Sequence, residues 1–361
     1  MKNVLTYQRT PYSKNTPFRF IRTLESSSEI YVKVGDEIRP ETILYSIWKK
    51  SGFRTFDLSQ LFNVSPEKAS ILLQRTIGSR IYQGDVLAKK KEMFGLKEKV
   101  FKSPLTGVLV DYSEETTRFT LQYLPQEIKK VSGVFGKVIE ILPEKSIDIG
   151  TIVDTVYGLV SFGVDREGSL LEVGYPDIPI QIDQITDKAK GKIIFGGTKV
   201  SIDVLYKALS VGVRAVITGG IDFHDYLSLR GSKGRFEDVG FSVLATEGFT
   251  TAPIYTPVYD LLKQSEHRHV FLMAALQKLV IPLASGHLPA IKNDEYITPE
   301  NESSRSYVVL AIGAKVRLLS GDYAGEYGIV SSVSKDDQVV GVTIGNSTVP
   351  VHGGQLEVIN E

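Results

Sequence analysis

Cysteine is absent from this sequence of 361 residues. Its absence excludes disulfides, thiolate nucleophiles, iron–sulfur clusters and cysteine-ligated zinc, and it fits a reducing cytoplasm, where we expect the protein to act. No run of about 18 apolar residues occurs, so we predict no membrane-spanning helix and no membrane partner. The first twenty residues also lack an apolar segment of signal-peptide length.

An excess of charge of either sign is missing too, because 42 Lys and Arg residues balance 42 Asp and Glu residues. A protein that coats nucleic acid by charge alone needs a basic surface, so this balance leaves room only for a local basic patch. The chain is 42% hydrophobic and 23% charged, which predicts soluble globular domains with apolar cores. Two to four domains of roughly 100–150 residues fit its length.

Changes of character along the chain predict five regions. Residues 1–18 are polar, and we interpret them as an arm or a single edge strand. Residues 19–189 are rich in strand patterns. Residues 190–283 alternate strands with helices, which predicts a small parallel α/β sheet. Residues 284–306 are polar and contain proline, as a linker does, and residues 307–361 form a last β-domain.

An internal repeat lies in the β-rich region, where residues 34–44 line up with residues 77–87. Both segments read apolar-Gly-x-x-Ile, which predicts a strand, a glycine turn and a second strand. Related phrases recur at 102–109 and 131–139. These phrases resemble the barrel-sandwich hybrid of lipoyl and biotinyl domains. In those domains a carrier lysine lies at a hairpin tip between the two half-motifs.

The carrier lysine has no counterpart here. The Met-Lys-Met phrase of biotinyl domains is absent, and Lys188, within Thr-Asp-Lys-Ala, does not lie between half-motifs. We therefore interpret Lys188 as a solvated loop residue and the hybrid region as structural or as a docking surface. Residues 55–77 are predicted to form a helical insertion packed on the barrel. Lys68 and Arg75 are too few basic residues for a DNA-recognition helix.

The α/β region places glycine or small polar residues at the ends of three strands. The sequence predicts a helix that Ser201 caps and Gly212 ends, a helix that Asp222 caps, and a fourth strand over residues 270–273. Because ligands of parallel sheets lie at the carboxyl ends of the strands, a small anion site is one hypothesis, and tight strand–helix turns are the alternative. The candidate ligand residues are Gly196, Gly197, Thr198, Gly219, Gly220, Asp222, Thr246, Glu247 and Gly248.

Residues 190–275 are similar to DRTGG-type regulatory domains and to swivelling domains of phosphoenolpyruvate-using enzymes. The phrase Gly-Gly-Ile-Asp-Phe-His that ends in His224 carries this similarity. It lacks the hydroxyl residue before the histidine, so we interpret His224 as a capping or packing residue. His267 and His269 would share one side of a strand, but no third metal ligand follows. We therefore predict no catalytic residue, no metal and no cofactor.

Residues 313–359 resemble the KOW domain, an SH3-like barrel, in the pattern G-x-x-V-x-[I/V]-x-x-G-x-[F/Y]-x-G-x-x-G-x-V. In this pattern Gly321 permits a turn, Gly325 a bulge and Gly328 a close strand crossing. KOW domains bind RNA, RNA polymerase or other proteins, and the resemblance implies exposed loop contacts at Arg317, Tyr323 and Tyr327. The contact loops carry acidic residues, which favours a protein partner over RNA; they are Asp322, Glu326, Asp336 and Asp337.

The sequence thus predicts a multidomain α+β protein: a barrel-sandwich hybrid region with a helical insertion, a small parallel α/β sheet and a C-terminal SH3-like barrel. We expect a non-enzymatic, cytoplasmic binding or assembly protein that docks a protein partner. Two alternatives stay open. One is a ribosome-, RNA- or transcription-associated factor, which a basic stripe on the folded surface would favour. The other is a small-anion sensor or enzyme that uses the glycine loops.

Overall fold

The structure of the chain is a computed structural model. It describes residues 4–49, 52–92, 97–230, 238–284, 291–299, 305–334 and 339–360. Strands account for 48% of the described residues and helices for 16%, which agrees with the predicted β-rich α+β class. Several predictions concern residues outside the described ones, namely parts of the linker (285–290 and 300–304) and the acidic residues Asp336 and Asp337.

Most of the elements in the first part of the chain are strands. Its strands are β1 (Leu5–Arg9), β2 (Tyr12–Thr23), β3 (Glu29–Ile30), β4 (Glu37–Ile38), β5 (Ile43–Lys49), β6 (Phe53–Asp57), β7 (Arg80–Ile81), β8 (Val86–Glu92), β9 (Lys97–Lys102), β10 (Gly107–Ser113), β11 (Arg118–Tyr123), β12 (Gln126–Val131), β13 (Gly136–Leu142) and β14 (Ser146–Tyr157). Its helices are α1 (Leu58–Phe62) and α2 (Pro66–Ala69).

The remaining elements follow in two groups. The central group is β15 (Val160–Phe162), β16 (Arg166–Glu172), β17 (Ile193–Phe195), β18 (Lys199–Val200), α3 (Ile202–Val211), β19 (Ala215–Ile221), α4 (Phe223–Arg230), β20 (Ser242–Gly248), α5 (Thr256–Gln264), β21 (His269–Met273) and β22 (Lys278–Pro282). The C-terminal group is β23 (Arg305–Val309), β24 (Lys315–Leu318), β25 (Tyr327–Val333), β26 (Val339–Ile344), β27 (Ser347–His352) and β28 (Leu356–Ile359).

The internal repeat folds as an inner β-module inserted into an outer one, which contains β3, β4, β5, β12 and β13. The inner module, residues 52–123, lies between β5 and β12, which pair with each other up to Lys49 and Gln126. Its buried apolar residues form a core of their own between Leu58 and Leu121. The two modules repeat the same local hydrogen bonds at matching positions. The bonds Gly35–Val138, Tyr31–Leu44 and Ser132–Val134 of the outer module correspond to Gly78–Leu109, Gln74–Leu87 and Ser103–Leu105 of the inner one.

Residues 55–77 are less helical than the sequence predicts. Phe56 belongs to β6, which pairs with β11 at the edge of a four-stranded sheet. Helix α1 ends after one turn because Asn63 adopts a left-handed conformation (φ 49°), and Pro66 then begins α2 at its first position, as predicted. A single 3₁₀ turn follows, and the chain is extended again at Leu73.

The central sheet has twelve strands, and its parallel part is β20-β19-β17-β16. Helix α3 starts after Ser201 and ends at Gly212 (φ 86°), as predicted. The prediction that residues 270–273 form a further parallel strand is wrong. Strand β21 runs antiparallel to β16, and a 3₁₀ turn at Ala274–Leu276 then folds the chain directly back into β22, which is antiparallel to β21. The sheet crosses the predicted boundary at residue 190, because its fourth parallel strand is β16.

The C-terminal sheet has seven strands in the order β23-β1-β28-β24-β25-β26-β27. Strand β1 is not a free arm or an edge strand, as the sequence suggested, because it pairs with β23 on one side and with β28 on the other. One face of this sheet covers an apolar core that extends from Val4 to Val358. The opposite face packs against the central sheet, where Ile359 and Tyr327 join the central core.

Candidate functional site

One row of side chains crosses five strands on the face of the C-terminal sheet that meets the central sheet. The strand register aligns Tyr307 with Tyr7, Tyr7 with Glu357, Glu357 with Arg317, and Arg317 with Tyr327. Because residues aligned across neighbouring strands share a face, the five side chains lie side by side. Tyr307 and Tyr7, at one end of the row, are exposed, whereas Glu357 and Arg317 are buried.

The buried end of the row forms an ionic cluster with the end of β20. Arg9 Nη1 lies 3.0 Å from Glu247 Oε2 and 3.3 Å from Glu357 Oε1. Arg317 Nη1 lies 3.0 Å from Glu357 Oε1, and its Nη2 donates to the Glu247 carbonyl at 2.8 Å. All four residues are at least 94% buried. Two cations and two anions cancel, and this neutrality makes the burial tolerable.

Glu247 holds the centre of this cluster. Its Oε2 accepts a hydrogen bond from the Tyr327 hydroxyl at 3.0 Å, and its Oε1 accepts one from the Tyr255 amide at 3.3 Å. Burial and the nearby Glu247 carboxylate raise the pKa of Tyr327, so that phenol stays neutral. The Tyr327 ring stacks on Tyr255 with 4.6 Å between centroids. The carboxylate is therefore fully engaged in fixing the two sheets together.

A cleft of about 540 Å³ opens beside the cluster, at the carboxyl end of β20. Its walls include apolar and aromatic side chains, from Tyr7, Leu159, Phe249 and Leu319, and polar ones, from Gln8 and Thr250. Its floor is the ionic cluster. A concave site of this size, which combines apolar surface with a few converging polar groups, is typical of binding sites in proteins. We therefore take the cleft as the candidate site.

The structure brings together residues from both sets of sequence candidates. Glu247 and Gly248, from the glycine-loop set, line the same cleft as Arg317, from the KOW set, and Tyr327 contacts Glu247 beneath it. Arg317 is only 3% exposed in β24, and Tyr327 lies in β25 with its hydroxyl on Glu247, so the expectation of exposed loop contacts at these two positions is wrong. The Arg317 side chain points into the sheet–sheet contact instead. Tyr323 does lie on a loop and is 42% exposed.

The other glycine-loop candidates pack against the chain's own backbone. A Cβ atom at Gly219 would lie 1.8 Å from the Ala252 carbonyl oxygen, and one at Gly220 would lie 1.8 Å from the Thr250 carbonyl oxygen. A Cβ atom at Gly196 would meet the Val173 carbonyl oxygen at 2.0 Å. The three glycines thus permit close backbone contacts with the 249–254 loop and with residue 173.

The remaining members of the glycine-loop set contact other protein groups, with one exception. Thr218 donates to the Gly197 carbonyl at 3.3 Å. The Thr198 amide donates to the Ile178 carbonyl at 3.0 Å, but the buried Thr198 hydroxyl has no hydrogen-bond partner among the described residues. Thr246 donates to the Thr218 carbonyl at 3.3 Å, and its own carbonyl accepts from Arg9 at 2.7 Å. Asp222 accepts from the amide of His224 and pairs with Lys199 at 3.3 Å, and these contacts lower the pKa of Asp222. Asp222 therefore sits at the start of α4, as predicted.

Two residues of the cluster, Arg9 and Glu357, were not among the sequence candidates. Arg9 lies 238 residues from Glu247 and 348 residues from Glu357 along the chain. No spacing motif spans such distances. The one available signal was charged residues inside otherwise strand-like segments, Leu-Thr-Tyr-Gln-Arg and Leu-Glu-Val-Ile, which a buried strand face does not normally carry.

Within the described ranges, His267 and His269 do not come together with a third ligand as a metal site. His267 adopts a left-handed turn (φ 67°) before β21, so only His269 lies on the strand and the two do not share one side of it. His269 Nε2 is 4.0 Å from Glu167 Oε2, and Arg22 Nη1 is 3.0 Å from the same oxygen. Among the residues that the structure describes, no group of three potential ligands comes together.

Comparisons with known proteins do not place the chain in a family. A scan against protein-family models finds no match, and a search of curated proteins finds no significant relative.

Within the described ranges, no helix has the length and apolar character needed to cross a membrane.

Proposed function

We propose that this chain is a non-enzymatic binding protein that docks an extended segment of a protein partner. The docking site is the exposed Tyr7–Tyr307 end of the C-terminal sheet together with the adjoining cleft. The single observation that carries this proposal is the open edge strand β23. In the described part of the chain, β23 pairs with β1 on one side and with no strand on the other.

The two edges of the C-terminal sheet differ in the way that a docking edge requires. Strand β27, at one edge, contains Pro350, and a proline on an edge strand blocks the addition of another strand. Strand β23, at the other edge, has no proline, and its Tyr307 and Val309 are 66% and 51% exposed. Natural proteins protect unused edges, so the contrast supports the use of β23 as a template for a partner strand.

The aromatic residues beside this edge supply anchoring surface. Tyr7 and Tyr307 contact each other with 4.5 Å between ring centroids and a 2.7 Å hydrogen bond between hydroxyls. Phe249, on the opposite wall, is 47% exposed and packs edge-on against Phe223 and Tyr226. Tyrosine is enriched among the residues that dominate protein–protein binding energy. A partner strand on β23 would place its side chains against these rings.

The chemistry of the cleft floor supports binding rather than catalysis. Each charged group of the ionic cluster already pairs with an opposite charge, and Glu247 accepts hydrogen bonds from several donors. A general acid or base needs a group free to exchange a proton with substrate. The KOW resemblance of residues 313–359 supports the same function, because those domains bind partners. The close backbone packing at Gly219 and Gly220 weighs against the small-anion alternative.

Site-specific photocrosslinking tests the proposal. A photoreactive phenylalanine analogue replaces Tyr307 in the full chain, and the matched control carries it at Tyr206, which is 55% exposed on α3. After irradiation in the native lysate, we expect one dominant protein adduct at position 307 that disappears when Phe249 is changed to serine. The same adduct from both positions, or an adduct that survives Phe249→Ser, would contradict docking at this site.

A further inference from the structure

A second cleft, of about 330 Å³, opens where two parallel strands of the central sheet begin. Asp165 directly precedes β16, and Arg214 directly precedes β19. The rest of the lining comes from β16 itself, from β2 and from β21. The glycine-loop candidates lie at the opposite, carboxyl ends of the parallel strands, so this cleft is distinct from the small-anion site that the sequence suggested and from the cleft beside β23.

Ser242, at the start of β20, ties together the backbone segments that carry Asp165 and Arg214. Its hydroxyl donates to the Val164 carbonyl at 2.5 Å, and its amide donates to the Arg214 carbonyl at 3.1 Å. The carboxylate of Asp165 is fixed separately, because its Oδ1 accepts from the Ala274 amide at 2.9 Å. The sheet therefore presents an acidic and a basic side chain to the same cleft from two fixed positions.

Two of the three arginines that line the cleft are neutralised by carboxylates. Arg22 Nη1 lies 3.0 Å from Glu167 Oε2, and Arg166 pairs with Asp238. The third, Arg214, is exposed and makes no ion pair with any residue that the structure describes. Its guanidinium is therefore left for a ligand.

Asp165 is the negative counterpart of Arg214. Its side chain is exposed at the cleft, yet the surrounding protein partly desolvates the carboxyl group and raises its pKa, although backbone amides donate to it. Within the described ranges, Asp165 makes no ion pair. The cleft thus holds one cation and one anion that lack a counter-ion.

Apolar surface lies beside these two charges. Ile21 is 39% exposed, Met273 is half-buried, and the rings of Phe20 and Phe271 pack behind them with 4.6 Å between centroids. The cleft volume is near the lower limit of the roughly 300–1,000 Å³ that is typical of ligand sites. The ligand that fits is small and carries both charges together with an apolar group.

We propose that this cleft binds a free α-amino acid with an apolar side chain. The ligand carboxylate pairs with the planar guanidinium of Arg214, the ammonium group pairs with Asp165, and the side chain lies against Met273. An ion of one charge, such as phosphate or a simple amine, leaves the other protein group without a counter-ion, which favours a zwitterion. The site is independent of the docking proposal at β23, and its failure would leave that proposal untouched.

Isothermal titration calorimetry of the full chain with L-leucine tests this proposal. Asp165→Asn and Arg214→Gln are each expected to weaken leucine binding roughly 10- to 100-fold, because each removes one charged partner. Asparagine keeps the acceptor for the Ala274 amide, and Arg214 is exposed, so both variants should fold. The matched control, Asp183→Asn with Lys207→Gln, changes an acid and a base in a different recess and should leave binding unchanged.

Two leucine analogues distinguish a zwitterion site from a site for one charge. Isopentylamine lacks the carboxylate, and isocaproate lacks the ammonium group. We expect the parent chain to bind both more weakly than leucine. Arg214→Gln should not weaken amine binding further, and Asp165→Asn should not weaken isocaproate binding further.

Several outcomes would overturn the amino-acid site. They are no binding of leucine at millimolar concentrations, binding of either analogue as tight as that of leucine, and equal losses in the control variant. The comparison of leucine with its analogues uses the parent chain, so it decides the matter even where a variant does not fold. Thermal unfolding of each variant checks that the fold is retained.

Discussion

At the scale of single residues, the buried charges decide how the two large sheets meet. The carboxylate of Glu247 contacts two guanidinium groups and one phenol contributed by three strands of the other sheet. Such a cluster adds little net stability compared with apolar packing, because desolvation offsets the attraction. Substitution of one charged residue of the cluster should lower the free energy of unfolding, because the remaining charges stay buried without a counter-ion. We therefore expect the cluster to fix how the two sheets pack against each other and to contribute little to the net stability of the chain.

Substitution of Glu247 by glutamine should be severely destabilising. The change leaves Arg9 and Arg317 buried with Glu357 as their one remaining anion. We expect a loss of about 3–5 kcal/mol in the free energy of unfolding, measured by urea denaturation. The control Glu326→Gln, at an exposed carboxylate in the loop before β25, should change it by less than about 0.5 kcal/mol. Similar values for both variants would show that the cluster does not bear on stability.

Acid stability offers a second prediction at this scale. The His269 imidazole and the Arg22 guanidinium lower the pKa of Glu167 from its ordinary 4.5 to about 2. A lowered carboxyl pKa stabilises the fold above pH 4.5, and this contribution is lost as the pH falls from 4.5 towards 2. Because Glu167 is 47% exposed, solvent screening limits the contribution to at most about 1 kcal/mol.

The variant Glu167→Gln should therefore have a flatter dependence of unfolding free energy on pH between 4.5 and 2 than the parent chain. Chemical denaturation at a series of pH values measures this difference. The variant Glu41→Gln, at an exposed carboxylate, serves as the control and should follow the parent curve. An unchanged acid limb in Glu167→Gln would refute the contribution of this carboxylate.

At the scale of elements, the nested modules show how a repeat can be inserted without disturbing its host. The inner module leaves and re-enters the outer one at a single point, where the Tyr123 amide donates to the Gly52 carbonyl at 3.1 Å. Its core residues all come from within residues 52–123. The outer module in turn closes across β5 and β12 without help from the insertion. The inner module thus has the requirements of an independent folding unit, whereas the outer module shares its core with Phe271 and Val280 of the central sheet.

Excision of the inner module should leave the rest of the chain folded. Residues 50–125 are replaced by Asn-Gly, which suits a two-residue turn between paired antiparallel strands at Lys49 and Gln126. We expect a cooperative thermal transition and near-native circular dichroism, and the same for isolated residues 52–123. In the matched comparison, deletion of residues 1–10 removes interior strand β1 and should destabilise the C-terminal sheet. Loss of folding in the excised chain would show that the modules depend on each other.

The elements also show which features can be predicted from sequence. Helix α3 was predictable because its start at Ser201 and its end at Gly212 are local signals. The repeat was predictable because its glycine turns recur at a fixed spacing. The direction of β21 was not, because it depends on the short turn that follows and on pairing with β16. The helical content of residues 55–77 was overestimated, because pairing of β6 with β11 overrides local helix preference.

At the scale of the whole molecule, distant parts of the chain combine to make the candidate site. Strand β1, the end of β20 and the C-terminal strands each contribute to the cleft, so no contiguous segment carries it. The sequence pointed to Glu247, Gly248 and Arg317 separately and for different reasons. Their meeting could not be predicted, because it depends on how one sheet docks against another. The open edge at β23 is likewise a property of the sheet order.

We propose that a protein partner docks on the open edge of β23. The direct test compares how much partner the tagged full chain retains from native lysate. Tyr307→Lys with Val309→Lys places charge on the β23 edge, and Ser347→Lys with Thr348→Lys places the same charge on the opposite edge, in β27. We predict that the β23 variant loses the partner captured at position 307 by at least about tenfold, while the β27 variant retains it. Equal retention of the partner by both variants would contradict docking on β23.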